Sequence, residues 1–329
     1  MKKISKVLSR IISNLSYMLH KSFKDDFSQI KYHFDDIENI TNNLTQIISN
    51  QHFILSVLSY YGQHPDEGLA YKEELAYIYK HRSFVNFPYE YSHSPESVSA
   101  QIDIKTGLPF VLHKGKKLFF PNSYGINRSK EVYAYLENNE RITQRHDDKK
   151  SPHQYQSTQY HIEEGDVLLD IGCAEGLFSL DNIEKASHIY LIECDKQWIS
   201  CLANTFAPFT NKVTIINKKI GLDDTDDTIT LNTLLSKTEP SPIYLKMDIE
   251  GAEVPVLEHA QSALSNYPSH IKIGVAAYHK QNDCKQLTEL FSQLSFNYEL
   301  SSGYMLFNSY DIPEAPYFRK GIIRASNNY

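Results

Sequence analysis

Cysteine, tryptophan and glycine are scarce in this chain, which has 4 cysteines, 1 tryptophan and 13 glycines among 329 residues. Because no cysteine stands in a CxxC pair or at zinc-ligand spacing from a histidine, the cysteines are expected to be free thiols in a reducing, cytoplasmic compartment. No run of about 18 apolar residues is present, so no membrane-spanning helix is expected. A GxGxxG fingerprint is missing as well, which counts against a dehydrogenase that binds NAD.

Positive charge is also in short supply, since 33 basic residues stand against 40 acidic ones and the net charge is -7. Binding to phosphates needs a basic face, so nucleic acid is not expected as a partner. The N-terminus does carry Lys2, Lys3, Lys6 and Arg10 among apolar residues at helical spacing. Serines interrupt this segment and no small-residue cleavage site follows, which argues against a signal peptide. We expect a helix that packs on a partner helix, with weak peripheral membrane contact as the alternative.

Residues 23–58 repeat a seam in steps of four and three. The seam positions are Phe23, Phe27, Ile30, Phe34, Ile37, Thr41, Leu44, Ile48, Gln51, Leu55 and Leu58. Such a repeat without proline or glycine is typical of a coiled coil, and the polar positions Thr41 and Gln51 could fix its register. We therefore predict that segment 1–62 is an α-helical coiled-coil extension that makes a homo-oligomer. A long amphipathic helix folded back on its own domain is the alternative.

The segment 63–160 shows little periodicity and is predicted to be a linker with an acceptor-binding or lid function. Its opening sequence, GQHPDEG, is typical of a break. Short elements are predicted as helices over 69–82 and 130–136 and as strands over 108–112 and 117–120.

From residue 161 to 329, buried runs rich in β-branched residues alternate with helical segments, which indicates a doubly wound α/β sheet with parallel strands. Strands are predicted over 167–171, 188–193, 213–217, 243–248 and 270–277, and near 296–300, 304–308 and 320–325. Helices are predicted over about 176–186, 196–206, 253–266 and 281–294. Ligands of such sheets bind beyond the carboxyl ends of the strands, so the residues there are the candidate site.

The first of these strands ends in Asp170-Ile171-Gly172-Cys173-Ala174-Glu175-Gly176. Gly172 permits a tight turn, and Gly176 lets a helix N-terminus approach a ligand. The second strand ends at Glu193, where a carboxylate can accept hydrogen bonds from both ribose hydroxyls of an adenosine. The two features together predict an adenosine-type ligand without separating methyl transfer from hydride transfer. A plain strand-to-helix turn is the alternative for the glycine segment.

The fourth strand ends in a crowd of charged residues, Lys246, Asp248, Glu250 and Glu253. Such groups are costly to bury unless they are paired or functional. Strand alternation predicts Lys246, Asp248 and Glu250 on one side, whereas Glu253 falls in a first helical turn, where its charge suits the helix dipole. His279 follows the fifth strand and lies beside Asp248 if the two strands are neighbours. An ordinary loop histidine is the alternative.

The segments VLLDIGCAEGLFSL, LIECD, VTIINKKIG, TITLNTLL and above all IYLKMDIEGAEVPVL resemble the FkbM-type methyltransferases over about residues 160–325. The resemblance implies a class I methyltransferase fold, which is Rossmann-like, S-adenosylmethionine as cofactor, and O-methylation, often of sugars in glycans or natural products. The chain departs from the family at Cys173 and Glu175 in the turn, where DxGANxG is usual, and at Ala277, where the family has the glutamate of Glu-x-His.

The resemblance and the strand ends together predict three sets of site residues. Cofactor binding is predicted for Asp170, Gly172, Cys173, Ala174, Glu175, Gly176, Glu193, Cys194, Ile220 and Asp248. Catalysis is predicted for Asp248, His279, Lys246 and Glu250. Acceptor binding is predicted for Ser151, His153, Tyr155 and Tyr278, the first three in a segment similar to the leader of FkbM-like proteins of bacterial surface-glycan genes, for which a polar surface loop is the alternative.

His279 suits the role of general base, while Asp248 could orient it, act as base itself or hold a divalent ion. A Mg²⁺ site of Asp248, Glu250 and His279 is conceivable, although no metal is expected to be required. The predicted function is O-methylation of a sugar or nucleotide-sugar hydroxyl in capsule, lipopolysaccharide or natural-product synthesis. The alternatives are a non-catalytic scaffold that binds an adenosine ligand, and an NAD-dependent dehydrogenase.

Overall fold

The computed structural model describes residues 40–90, 93–140, 151–308 and 313–327. The chain divides into two compact units, Met1–Ser56 and Val57–Tyr329. The basic N-terminal segment and the seam positions before residue 40 lie outside the described residues. The predicted division of the chain at residues 62 and 160 stays a prediction.

Helix α1 covers residues 40–63 and ends at the expected break. Three seam positions on it, Leu44, Ile48 and Leu55, are 54%, 57% and 62% exposed. Phe53 and Ile54, on other faces of the helix, are buried. These three side chains therefore form an exposed apolar stripe, whereas the seam position Leu58 is half-buried, and the coiled coil stays a prediction.

The remaining elements are shorter. The further α-helices of the described residues are α2 (Lys72–His81), α3 (Gly125–Glu140), α4 (Leu177–Asn182), α5 (Lys196–Thr205), α6 (Leu231–Thr238), α7 (Glu253–His259), α8 (Gln261–Ser265) and α9 (Asp283–Gln293). The strands are β1 (Ala100–Ile102), β2 (Pro109–His113), β3 (Lys116–Phe119), β4 (Val167–Ile171), β5 (His188–Ile192), β6 (Val213–Ile216), β7 (Lys219–Gly221), β8 (Thr228–Thr230), β9 (Ile243–Met247), β10 (Ile271–Ala276), β11 (Asn297–Leu300), β12 (Met305–Leu306), β13 (Phe318–Arg319) and β14 (Ile322–Ser326).

The main sheet of the second unit has the order β11-β14-β10-β9-β4-β5-β6. Strands β10, β9, β4, β5 and β6 are parallel, and β14 runs antiparallel to both of its neighbours. This is the doubly wound class I methyltransferase sheet that the sequence predicted. Strands β4, β9 and β10 are buried along their whole length, which explains why their sequences are almost continuously apolar.

Alternate residues of the central strands pack into two separate hydrophobic cores. In β4, Leu168 belongs to the core on one face, while Val167 and Leu169 belong to the core on the other. The antiparallel sheet β1-β2-β3 adds to the first core through Phe110 and Leu118. A shift of one residue in the pairing of a strand would move each of its side chains to the opposite face of the sheet. The register, which sets the positions of the strand ends, is therefore strongly determined.

Several predicted elements differ from the structure. The helix expected over 253–266 is two helices, α7 and α8, on either side of Ala260. The strand expected over 304–308 is only Met305–Leu306, and it pairs with β13 outside the main sheet. The helix expected over 176–186 ends at Asn182, and the one expected over 130–136 is the longer α3. Residues 219–230, which carried no strand prediction, form the small pair β7–β8.

Among the described residues, no helix is both long and apolar enough to cross a membrane.

Candidate active site

A cavity of about 600 Å³ opens at the carboxyl ends of β4, β5 and β9. Its wall includes these sequence-predicted residues: Gly172, Ala174, Glu193, Cys194, Ile220, Asp248 and Glu250. It also includes Trp198, Lys218 and Lys280, for which the sequence carried no prediction. The volume lies in the range of cofactor sites, and S-adenosylmethionine fits a cavity with this position in an α/β sheet.

The turn after β4 can take its shape only with glycine at its first bend. Gly172 has φ +72°, and a Cβ atom there would come within 1.9 Å of the backbone oxygen of Asp248. Gly176 has φ +80°, and a Cβ atom there would lie 2.8 Å from the Phe206 ring. The first glycine therefore lets the turn press against the end of β9, and the second lets α4 pack against α5 and the segment after it.

Glu193, directly after β5, has both carboxylate oxygens facing backbone donors. Oε2 accepts from the Ala174 N–H at 2.9 Å, and Oε1 accepts from the Asp195 N–H at 2.7 Å. Each carboxylate oxygen has a second lone pair, so Glu193 can still accept hydrogen bonds from a ribose in the cavity. These two bonds also tie the glycine turn to the start of α5.

Asp170 and Lys246 form an ion pair beneath the turn. The Lys246 Nζ lies 3.2 Å from Asp170 Oδ1 and donates to the Gly172 carbonyl at 2.7 Å, and Ser179 Oγ donates to Asp170 Oδ2 at 2.6 Å. Both side chains are buried, and neither lines the cavity. The structure therefore places Asp170 and Lys246 where they support the turn.

Cys173 and Glu175 are buried and do not line the cavity either. Burial raises the pKa of the Cys173 thiol well above its usual value. Burial also raises the pKa of Glu175 to about 7, although backbone N–H donors and Lys246 oppose the shift.

Asp248 lies just after β9 and is contacted by side chains from segments that are distant in the sequence. The Tyr155 hydroxyl donates to Oδ2 at 2.7 Å, and the Tyr278 hydroxyl lies 3.3 Å from both oxygens. The Nε2 atoms of His153 and His279 lie 3.4 Å from Oδ2 and Oδ1 respectively. Burial favours a raised pKa for Asp248, but the hydrogen bond and charge of His153, with Lys246 and His279, outweigh it and hold the pKa below its usual range.

His279 is 1% exposed and has carboxylates near both ring nitrogens. Nδ1 lies 3.0 Å from Glu253 Oε1, and Nε2 lies 3.5 Å from Glu250 Oε2 as well as near Asp248. Burial alone would lower the pKa of His279, but Glu253 and Asp248 raise it on balance. The contact of Glu253 with His279 was not predicted from the sequence, because the helical position of Glu253 already explained an acidic residue.

The backbone at residues 278–279 is fixed by hydrogen bonds from a buried arginine. Arg319 Nη1 donates to the carbonyls of Tyr278 at 2.8 Å and His279 at 2.9 Å.

Ser151, predicted to bind the acceptor, donates to the Asn139 carbonyl and accepts from the His153 N–H at 3.1 Å. Ser151 therefore shapes the turn that presents His153 and Tyr155 to Asp248.

One oxygen of Asp248, one of Glu253 and one nitrogen of His279 lie within 4.8 Å of one another. Two carboxylates and an imidazole are suitable ligands for a divalent ion. The sequence had suggested Asp248, Glu250 and His279 as a metal site without expecting a metal to be required, whereas the structure groups Glu253 rather than Glu250 with the other two.

The strand order, with a cavity at the ends of β4 and β5, is that of the class I methyltransferase fold. The sequence profile of the Methyltransferase FkbM domain matches residues 119–300, more than half of the chain. The chain belongs to the FkbM methyltransferase family, as the sequence resemblance implied.

Solved structures with similar folds include an FkbM methyltransferase from Methylobacillus flagellatus KT, with 18% identity, a TM-score of 0.40, and coverage of 62% of this chain and 52% of that one. The chain thus spans about half the length of that protein. Another is a precorrin-6y C5,15-methyltransferase from Geobacter metallireducens GS-15, with 11% identity, a TM-score of 0.33, and coverage of 51% and 82%. No curated protein matches the chain.

Proposed function

We propose that the protein transfers a methyl group from S-adenosylmethionine to a hydroxyl oxygen of a sugar or nucleotide sugar, in the synthesis of a bacterial surface glycan or a natural product. One observation carries the proposal: Asp248 lines the cofactor cavity and also accepts from Tyr155 and lies within reach of two histidines. An acceptor bound beside Asp248 would therefore meet both the methyl group and groups able to take a proton.

S-adenosylmethionine, when bound, would supply an electrophilic methyl group, which would pass to the acceptor oxygen as the carbon–sulfur bond breaks with its electron pair going to sulfur. The hydroxyl proton of the acceptor would have to leave in the same transfer. His279 Nε2 is suited to receive the proton, because Asp248 and Glu250 stabilise the imidazolium that results. Asp248 orients the acceptor and this imidazole, and a well-placed base contributes about 10²–10⁴-fold to such a step.

A hydroxyl-bearing acceptor also suits the side chains that surround Asp248. Tyr155, Tyr278 and His153 present hydroxyl and imidazole groups on aromatic rings, with the His153 ring 5.1 Å from that of Tyr155 and 5.6 Å from that of Tyr278. Phenol and imidazole groups both donate and accept hydrogen bonds, as sugar hydroxyls do. The role of these residues in acceptor binding is part of the proposal.

Two further features of the protein belong to the same proposal. The exposed apolar stripe of α1, with Leu44, Ile48 and Leu55, supports assembly of a homo-oligomer through the N-terminal helices. The four free cysteines support a reducing compartment, and we propose the cytoplasm.

The test is a panel of nucleotide sugars incubated with the purified protein and methyl-labelled S-adenosylmethionine. We expect one labelled methyl group in one acceptor, detected by mass spectrometry. Asp248→Asn should nearly abolish this transfer and leave the affinity for S-adenosylhomocysteine within a few-fold, because Asp248 acts on the acceptor side. The matched control is Asp226→Asn, which removes an exposed carboxylate and should keep full activity. Full turnover of Asp248→Asn on a verified acceptor would refute the proposed site.

A further inference from the structure

Lys280, the residue directly after His279, is exposed and lines the cofactor cavity. We propose that its ammonium group binds a phosphate that is attached to the acceptor sugar, so that the substrate is a nucleotide sugar or a sugar phosphate rather than a free sugar. This inference rests on the proposed function and narrows the class of its acceptor. Lys280 is then a binding residue and takes no part in the proton transfer.

Lysines on two sides of the cavity have different surroundings. Lys218 and Lys219 follow β6, where Lys218 Nζ donates to two backbone carbonyls in the segment from β7 to β8. Lys219 acts on the thiol of Cys194, directly after the proposed ribose ligand Glu193. Lys280 follows β10, at the opposite side in the strand order β10-β9-β4-β5-β6. Its position therefore places it with the proposed acceptor residues rather than with the ribose.

The stem of Lys280 lies across the turn after β9. Gly251 has φ +89°, and a Cβ atom there would lie 3.2 Å from Lys280 Cε and 3.5 Å from His279 Cβ. The Lys280 N–H donates to Asp283 Oδ2 at 2.7 Å, and the Lys280 carbonyl accepts from the Asp283 N–H at 3.2 Å. The glycine therefore leaves room for the lysine stem beside the histidine, and the bonds with Asp283 fix the backbone from which the stem extends.

The positive charge of Lys280 is not neutralised by a direct ion pair. Among the described residues, its Nζ takes part in no ion pair and no hydrogen bond. Carboxylates of the neighbouring segments have other partners, since Asp248 accepts from the Tyr155 hydroxyl at 2.7 Å and Asp283 accepts from the Lys280 backbone. The ammonium group is therefore available to an anion that enters the cavity.

The charges of the two ligands indicate which anion this is. S-adenosylmethionine carries positive charge on its sulfonium and amino groups, which a lysine repels, and its carboxylate is the competing partner for Lys280. A free sugar is neutral, and the phenol and imidazole groups around Asp248 already match its hydroxyls. A phosphate carries about one to two negative charges, and lysine binds it as a point charge on a flexible stem. A lysine next to hydroxyl-binding residues therefore indicates a sugar that carries phosphate.

The test uses the sugar of the verified acceptor in three forms: free, as its 1-phosphate and as its nucleoside diphosphate derivative. Lys280→Gln should raise KM for the phosphate-bearing forms about tenfold to a hundredfold, because a charge-assisted hydrogen bond is lost. The value of kcat should stay within a few-fold, since a remote phosphate makes the same contact in the ground state and the transition state. The phosphate-bearing form with the higher kcat/KM identifies a sugar phosphate or a nucleotide sugar as the substrate.

Two control variants test whether the charge is responsible. Lys280→Arg keeps the charge and should keep KM within a few-fold, and Lys237→Gln removes an exposed lysine of α6 and should behave as the unmodified protein. An unchanged KM in Lys280→Gln, or a free sugar methylated as efficiently as its phosphate-bearing forms, would overturn the proposal. A loss of affinity for S-adenosylhomocysteine in Lys280→Gln would also overturn it, because the lysine would then bind the carboxylate of the cofactor.

A binding measurement separates failure of this inference from failure of the proposed function. The probes are UDP, GDP, dTDP and glucose 1-phosphate, titrated by calorimetry into protein saturated with S-adenosylhomocysteine. At least one probe should bind, and Lys280→Gln should bind it about tenfold more weakly or worse. If no probe binds, the inference is overturned even if a free sugar is methylated. If a probe binds through Lys280 but no acceptor is methylated, the proposed function fails and the phosphate site stands.

Discussion

Two carboxylates, one after β5 and one after β9, on either side of β4, have surroundings that suit different roles. Glu193 is fixed by the backbone N–H groups of Ala174 and Asp195, which are permanent donors without a titratable proton. Asp248 is instead surrounded by phenol and imidazole groups that can exchange protons. The first arrangement suits recognition of a neutral ribose, and the second suits the handling of a proton.

The proposed binding role of Glu193 leads to a prediction for the cofactor. Glu193→Ala should weaken binding of S-adenosylmethionine by about 1.5–3 kcal/mol, the range for a lost hydrogen bond to a charged group. Isothermal titration calorimetry measures this directly. Glu164→Ala, which removes an exposed glutamate before β4, serves as the control and should bind as tightly as the unmodified protein. Unchanged affinity in Glu193→Ala would contradict the role assigned to this carboxylate.

At the scale of elements, the site depends on how closely the turn after β4 approaches the end of β9. Asp248 donates its N–H to the Ile171 carbonyl at 3.0 Å, and its own carbonyl is the atom that a Gly172 side chain would strike. The turn after β4 and the proposed catalytic carboxylate are therefore joined through backbone atoms. A distortion of the turn is expected to affect the binding of both the proposed cofactor and the proposed acceptor.

Gly172→Ala tests this contact, with Gly107→Ala as a matched control. Both glycines have φ +72°, but a Cβ atom at Gly107 meets nothing within 4 Å. The control should lose only about 1–2 kcal/mol from backbone strain. Gly172→Ala should lose clearly more, because the obstacle at 1.9 Å is backbone rather than a flexible side chain. Urea unfolding measures both losses, and equal losses in the two variants would refute the close approach.

At the scale of the whole molecule, much of the sheet could be predicted because its strands are buried on both faces. The runs around Leu169 and Leu245 are apolar for that reason, and parallel strands in register bring their ends together. The proximity of Asp248 and His279 followed from the same reasoning, since Met247 pairs with Val275 across β9 and β10.

Contacts set by tertiary packing could not be predicted in this way. The Tyr155 hydroxyl reaches Asp248 from 93 positions away in the sequence, and no local pattern records such a distance. Likewise, the favourable interaction of an acidic residue with the dipole of α7 already explained Glu253, so its contact with His279 was not predicted. The strand expected at 304–308 lies outside the main sheet, because apolar alternation does not specify a pairing partner.

The exposed apolar stripe on α1 leads to a testable prediction about the assembly of the whole molecule. Large apolar side chains exposed along one face of a helix, with a repeat of four and three, are typical of helices that associate with one another. We expect the full chain to be a homo-oligomer in light scattering at micromolar concentration, and the double variant Leu44→Glu with Ile48→Glu to be a folded monomer. Gln46→Glu, which adds a charge to an exposed position off the seam, should leave the oligomer intact. A full-length protein that is monomeric under these conditions would show that the seam does not make an oligomer.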